Sequence, residues 1–236
     1  MTLIKEIKYF FLHKKGIFLK KIEDNFYEFH QSKLRGSFND IKNQQKSYIP
    51  YIKKIPSRVI NNYQFIDCGC GRGEFLELLS ELKVPNFLGI DINKKQIEKI
   101  KTKKIKVKKI NAVKFLYKNK EKLSGISAFH LIEHLTYPEL MDFLLLCKEN
   151  IKKEGILILE TPNNDNLIVS SKSFYYDLTH KTKITSELIL VMLEFFEFKN
   201  IKIIKKNPIR KEIKNDIENN LYQGQDLCII AYKKGK

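Results

Sequence analysis

From Tyr63 onward the chain alternates short apolar runs with amphipathic ones, and this alternation restricts the fold more than any other feature. Tyr63–Asp67, Asn86–Asp91, Lys106–Asn111, Gly125–Phe129 and Ile156–Thr161 read as strands. Between them Glu74–Leu82, Lys94–Lys101, Val113–Lys122 and Pro138–Ile151 read as helices, the last with proline in its first turn. Parallel strands joined by helical crossovers place helices on both faces of a sheet. A further helix at Ser186–Phe196 and strands at Lys199–Lys205 and Leu227–Tyr232 bring the count of strands to seven. The expected fold is therefore a doubly wound, mostly parallel seven-stranded α/β sheet of Rossmann-like type.

Two segments break the pattern. The stretch after Thr161, PNNDNLIVSSKSFYYDLTHKTK, has no regular period, and the polar run from Asn207 to Gln225 is too long for an ordinary hairpin loop. Long loops in compact domains tend to carry function. At 236 residues the chain suits one domain with an appendage. Residues 1–56 read as an N-terminal helical cap, with helix-like segments around Ile4–Lys21 and Glu23–Ser47, and Pro50 and Pro56 punctuating its end. Residues 57–236 read as the sheet domain.

The turn after the first strand, Asp67-Cys68-Gly69-Cys70-Gly71-Arg72-Gly73-Glu74, narrows the ligand. Glycines between a strand and a helix let the backbone turn sharply and let a ligand lie against it. A dinucleotide fingerprint would need a further glycine at position 74, where this chain has glutamate, and a carboxylate there opposes a pyrophosphate. S-adenosyl-L-methionine (SAM) carries no phosphate and suits an acid-bearing turn. Asp91, at the end of the second strand, is placed to accept both ribose hydroxyls. Asn111 and Ala112, ending the third, stand where an adenine would meet an amide or backbone. Asp67, Gly69, Gly71, Asp91, Ile92, Asn111, Ala112, Phe129 and His130 are the cofactor-binding candidates.

Composition excludes several classes. No apolar run approaches the roughly 20 residues that cross a bilayer, and the start, MTLIKEIKYFFLHKKGIFLKK, interrupts its apolar residues with lysines. The expected location is the cytoplasm. Leu3, Ile7, Phe10, Phe11, Ile17 and Phe18 are expected to pack on their own domain, with a peripheral contact at the inner membrane face as the alternative. Cys68, Cys70, Cys147 and Cys228 form neither a disulfide framework nor a zinc spacing. Net charge is +17, but only Arg35, Arg58, Arg72 and Arg210 are arginine, and the lysines are spread along the whole chain. Nucleic-acid surfaces favour arginine and aromatic clusters, so no nucleic-acid partner is expected. A positive surface still attracts an anionic small-molecule or glycan acceptor.

Several segments together carry a closer likeness. They are Phe26-Tyr27; Arg35-Gly36-Ser37; Tyr48-Ile49-Pro50; DCGCGRGEFLEL at Asp67–Leu78; AFHLIEHL at Ala128–Leu135; Glu160-Thr161-Pro162-Asn163 with Asn166; and Phe174-Tyr175-Tyr176-Asp177 with Thr179-His180. Over residues 26 to 182 the chain resembles class I SAM-dependent methyltransferases. Among these it resembles the methyltransferase domain of bacterial O-antigen chain terminators and related capsule-locus methyltransferases. Gln44 stands in place of an arginine of that pattern, and Asn164 and Leu178 in place of prolines. The resemblance implies O-methylation in capsule or lipopolysaccharide assembly, on a phosphate-like oxygen (phosphate or phosphoramidate) supplied by a partner enzyme. A sugar hydroxyl of a heptose or deoxysugar is the alternative acceptor. It also implies that Tyr27 and Arg35 fold over the cofactor from the cap.

A hydroxyl acceptor calls for a nearby imidazole or carboxylate, whereas a phosphate oxygen needs only hydrogen-bonding or cationic clamps. His134, after the fourth strand, and His180, in the irregular stretch, are the catalytic candidates; Arg72, Tyr175 and Tyr176 are the acceptor-binding ones. His130-Leu-Ile-Glu133-His134 also matches the inverted zinc-protease pattern H-x-x-E-H. That pattern needs both histidines on one helical face, and His130 belongs to a strand end, so no metal is expected.

Overall fold

The computed structural model describes residues 36–101, 105–210 and 212–233, together with Phe26, Phe29 and Lys33. Its elements follow the alternation. Helices α1 (Phe38–Gln45), α2 (Ile49–Ile52) and α3 (Ser57–Ile60) precede β1 (Gln64–Cys68), α4 (Glu74–Glu81), β2 (Phe87–Asp91), α5 (Lys94–Lys101) and β3 (Val107–Lys109). Then come α6 (Ala112–Lys118), β4 (Leu123–Phe129), α7 (Tyr137–Asn150), β5 (Ile151–Pro162), α8 (Leu167–Ser171), α9 (Ser186–Phe195), β6 (Phe198–Pro208), α10 (Asp216–Tyr222) and β7 (Gly224–Lys233).

The seven strands form one sheet in the order β3-β2-β1-β4-β5-β7-β6. Strands β1 to β5 are parallel, and β7 runs antiparallel to both β5 and β6. Chain order reverses between β1 and β4, and a sheet of this kind opens a crevice at the carboxyl ends of its strands there.

Successive strand residues point to opposite faces, and the burial shows both faces covered. Ile66, Cys68, Ile126, Ala128, Leu157 and Leu159 lie in one cluster with Leu116 of α6, Phe143 of α7 and Leu193 of α9. Their neighbours Phe65, Ile156, Ile158 and Ile230 lie in the other, with Phe75 and Leu79 of α4. The second cluster also takes in Tyr48, Ile52, Ile55 and Val59. Accordingly the chain divides between Gln44 and Gln45 rather than at residue 56, because 45–56 buries its apolar residues against the sheet domain. Helix α7 opens on a capping box, Thr136 with Glu139, and has Pro138 in its first turn. Most expected bounds shift by only a residue or two. β5 begins five residues before the expected Ile156, and α10 falls within the segment read as a loop.

Candidate active site

The turn after β1 is fastened to β2. Gly69 and Cys70 both donate their N–H to the Ile90 carbonyl, at 2.8 and 3.0 Å. Gly69 and Gly71 take φ of +69° and +50°, a region that glycine enters without a Cβ clash. Asp91, closing β2, accepts from Gly71 N–H through Oδ2 (2.9 Å) and from Asn93 N–H through Oδ1 (2.7 Å). Buried Asp67 accepts from the Ser127 hydroxyl (2.7 Å), joining β1 to β4. Ile92, 68% exposed, flanks Asp91. Asn111 caps α6 by accepting from Lys114 N–H (3.0 Å), with Ala112 buried just inside the helix. Arg72 Nε donates to Glu74 Oε1 (2.6 Å), and Glu74 is buried in the first turn of α4.

This arrangement fits SAM. Each Asp91 oxygen keeps a lone pair beyond its backbone bond, available to ribose hydroxyls. The glycine turn presents backbone without side chains, and the buried carboxylate of Glu74 disfavours a pyrophosphate in its place.

Beyond the turn, His130 sits at the end of β4 with φ +50°, uncommon for a residue with a Cβ. Its N–H is held by the Glu160 carbonyl (2.8 Å), and its ring by carboxylates. Nδ1 lies 3.2 Å from Glu133, and Nε2 lies 3.5 Å from Glu160 and 3.7 Å from Asp226. Burial alone would lower the imidazole's pKa, but Glu133 and Glu160 outweigh it and hold His130 well above the usual histidine range. Burial would likewise raise Glu160, yet His130, Lys206 and the Tyr48 hydroxyl bring it down to about 2. Lys206 Nζ stands 3.5 Å from Glu160 and 3.8 Å from the centre of the Tyr48 ring. Asp226 is pushed up, chiefly by burial and by Glu160. The Phe129 side chain turns into the core, its ring 4.7 Å from Phe75 and 5.2 Å from Tyr48.

A second group forms where the turn Ile132–His134 meets the irregular stretch. Glu133 is fully buried and accepts from the Thr161 hydroxyl (3.1 Å), while its carbonyl accepts from Lys181 and Thr182 N–H. Burial would raise its pKa, but His130 and His134 hold it below the usual carboxylate range. His134 and His180 stack edge to face, 4.7 Å between ring centres. His180 Nδ1 donates to the Phe174 carbonyl (2.7 Å), leaving Nε2 as the lone-pair nitrogen, and burial lowers this imidazole's pKa. Thr179 Oγ1 contacts both Asp177 Oδ1 (2.6 Å) and His134 Nδ1 (2.8 Å). Asp177 is held below the usual range by Thr179 against the opposing effect of burial. An ionised carboxylate only accepts, so the Thr179 hydroxyl donates to Asp177 and accepts from His134 Nδ1–H. His134 is thereby also left with its lone pair on Nε2.

Tyr175 and Tyr176 are exposed beside this group, with Lys183 Nζ 4.8 Å above the Tyr175 ring. Tyr27 and Arg35 lie outside the described residues, as does the basic segment 4–21. Among the described residues no helix is long and apolar enough to cross a membrane, and all four cysteines are buried and free. Glu133, Glu160, Thr179, Lys206 and Asp226 were not singled out from sequence as site residues. Glu133 stood in plain view within H-x-x-E-H; Lys206 and Asp226 reach the site only because β7 returns along β5 and β6 lies along β7.

A family model described as a methyltransferase domain matches residues 37–203. The chain is 30% identical to a SAM-dependent methyltransferase from Archaeoglobus fulgidus of known crystal structure, with a TM-score of 0.77, over 88% of this chain and 100% of that one. An S-adenosylmethionine-dependent methyltransferase from Clostridium acetobutylicum shares the fold at 10% identity and a TM-score of 0.62, covering 91% of this chain and 100% of that one. The YcgJ protein of Bacillus subtilis shares it at 13% identity and a TM-score of 0.62, covering 81% and 100%. No protein of curated function matches the sequence.

Proposed function

This chain belongs to the methyltransferase-domain family and is a SAM-dependent methyltransferase, and from that premise we propose that it O-methylates a sugar hydroxyl of a surface-polysaccharide precursor. The bound cofactor supplies an electrophilic methyl group on a sulfonium. Asp91 and the turn at 69–73 hold it at the crevice between β1 and β4.

The observation that carries the hydroxyl reading is the chain Asp177–Thr179–His134, with His180 beside it. It fixes imidazoles with free lone pairs next to the strand ends. A sugar hydroxyl must shed its proton as its oxygen is alkylated, and a positioned imidazole contributes roughly 100- to 10,000-fold to such a transfer. The rest of the wall agrees. Tyr175 and Tyr176 expose rings on which a sugar can lie. A phosphate-like oxygen is favoured by the resemblance of residues 26 to 182 and by the overall charge of +17, but by no free cationic clamp at the site among the described residues. At the site itself His130 and Lys206 are already engaged by carboxylates. The polysaccharide context rests on the resemblance of residues 26 to 182.

Incubation with methyl-labelled SAM and fractionated envelope precursors tests the reading, with mass spectrometry and NMR locating the label. A methyl on a ring oxygen is expected. A methyl on a phosphorus-bound oxygen, or label transferred only to nucleic acid, overturns it.

A further inference from the structure

We propose that Glu133, His134 and His180 form a binding site for a first-row divalent cation that holds the acceptor's hydroxyl oxygen. The inference deepens the hydroxyl-methylation reading and rests on it for the acceptor, though not for the metal. One ligand atom from each of the three side chains lies within 4.8 Å of the other two. His180 Nε2 is 3.9 Å from Glu133 Oε1. Metal–ligand bonds of about 2.0–2.2 Å set ligand atoms about 3–3.5 Å apart, so side-chain shifts of about an ångström close the set.

The surroundings separate this group from a chance cluster. Histidines that bind metals almost always donate their other ring N–H to a carbonyl or carboxylate, which fixes the ring and aims the lone pair. Both histidines here do so: His180 to the Phe174 carbonyl, and His134 through the Thr179 hydroxyl to Asp177. Glu133 is oriented too, by Thr161 on one oxygen and by His130 on the other. Three elements are therefore locked around one point, the turn Ile132–His134, the end of β5 and the segment 174–180. Two imidazoles and one carboxylate suit Mn2+, Fe2+, Co2+ or Zn2+, with the remaining positions open to water or substrate. A hydroxyl oxygen in an open position would have its pKa lowered as bound water does, its proton passing to solvent. The cation would then do the work otherwise left to a free imidazole.

The test uses the full-length protein, stripped with EDTA and titrated with MnCl2 while electron paramagnetic resonance follows free Mn2+; ZnCl2 is then added as competitor. One equivalent of Mn2+ is expected to bind and to be displaced by Zn2+. H180A and H134Q should each weaken Mn2+ binding at least about 100-fold, and T179V about 10-fold. Titration with S-adenosylhomocysteine checks that each variant is folded, since none of these residues belongs to the cofactor turn. Absence of stoichiometric binding, or unchanged affinity in H180A and H134Q, overturns the site. The readouts also distinguish the two readings. Hydroxyl methylation that persists unchanged in EDTA removes the cation and leaves the acceptor assignment standing. Stoichiometric Mn2+ with no hydroxyl methylated in any fraction does the reverse.

Discussion

Asp91 holds the glycine turn with one carboxylate, and in the proposed reading the same group meets the ligand. It accepts two backbone N–H groups, from Gly71 and Asn93, and so holds the glycine turn against the end of β2. Asp91→Ala leaves both amides without that acceptor and removes the group expected to meet the ribose. A hydrogen bond to a charged group contributes roughly 1.5–3 kcal/mol, so affinity for S-adenosylhomocysteine should fall at least about tenfold by calorimetry. An unchanged affinity would place the cofactor elsewhere. The placement of these residues was legible in the sequence because they fall on one strand–turn–helix unit and one strand end, where local chemistry suggests a role. Asn111 was legible as a position, and the structure adds that its side chain caps α6. Lys206 and Asp226 had no such signature, and Glu160, though it opens the Glu160-Thr161-Pro162-Asn163 segment, had none that named a role. Each reads locally as an ordinary polar residue, and their proximity is made by the pairing of Phe129 with Glu160 across β4 and β5, and of Lys206 with Asp226 across β6 and β7.

At the scale of elements, the carboxylate cage around His130 ties four strands at one end of the sheet. Burying an ion pair gains little, but removing one partner from it costs about 3–5 kcal/mol. Glu160 titrates near 2 in the folded protein, against an ordinary glutamate value of about 4.3. Its contribution is therefore complete above that ordinary value and is lost as pH falls through about 2. His130 sets the other limit: raised in the fold, it stabilises fully below about 6.5 and loses that contribution as pH rises through its own elevated value. Urea unfolding should show wild type about 3 kcal/mol more stable than Glu160→Gln between roughly pH 5 and 6.5, with the gap closing at lower pH. A gap independent of pH would mean that Glu160 acts by shape alone. The elements that sequence missed have a related cause. α10 buries none of its residues, so no packed apolar face marks it out within a polar run. It is capped by Asn215 and followed by Gln223, whose carbonyl accepts from buried Asn166 (2.8 Å). Asn166 also caps α8 through Ile168 and Val169 N–H. Asn166→Ala removes a cap and leaves a carbonyl without its partner, which should cost about 2–3 kcal/mol in unfolding free energy.

For the molecule as a whole, the proposed cofactor crevice lies where the two halves of the doubly wound sheet meet. A ligand held there would restrain β1 and β2 on one side and β4 on the other. Binding to the native state alone adds RT ln(1 + [L]/Kd), about 2.7 kcal/mol at a ligand concentration 100-fold above Kd. A domain of this size gains roughly 2–4 °C in Tm per kcal/mol, so S-adenosylhomocysteine at that concentration should raise the melting temperature by roughly 5–10 °C in a single transition. The same concentration applied to Asp91→Ala, with affinity tenfold weaker, leaves about 1.4 kcal/mol and so about half the shift. Measuring each protein with and without ligand separates this linkage from any loss of intrinsic stability, which displaces both curves equally. If the ligand instead split the unfolding into two steps, it would be held by one half of the sheet only. The crevice between β1 and β4 would then have to give way to a site on a single βαβ unit.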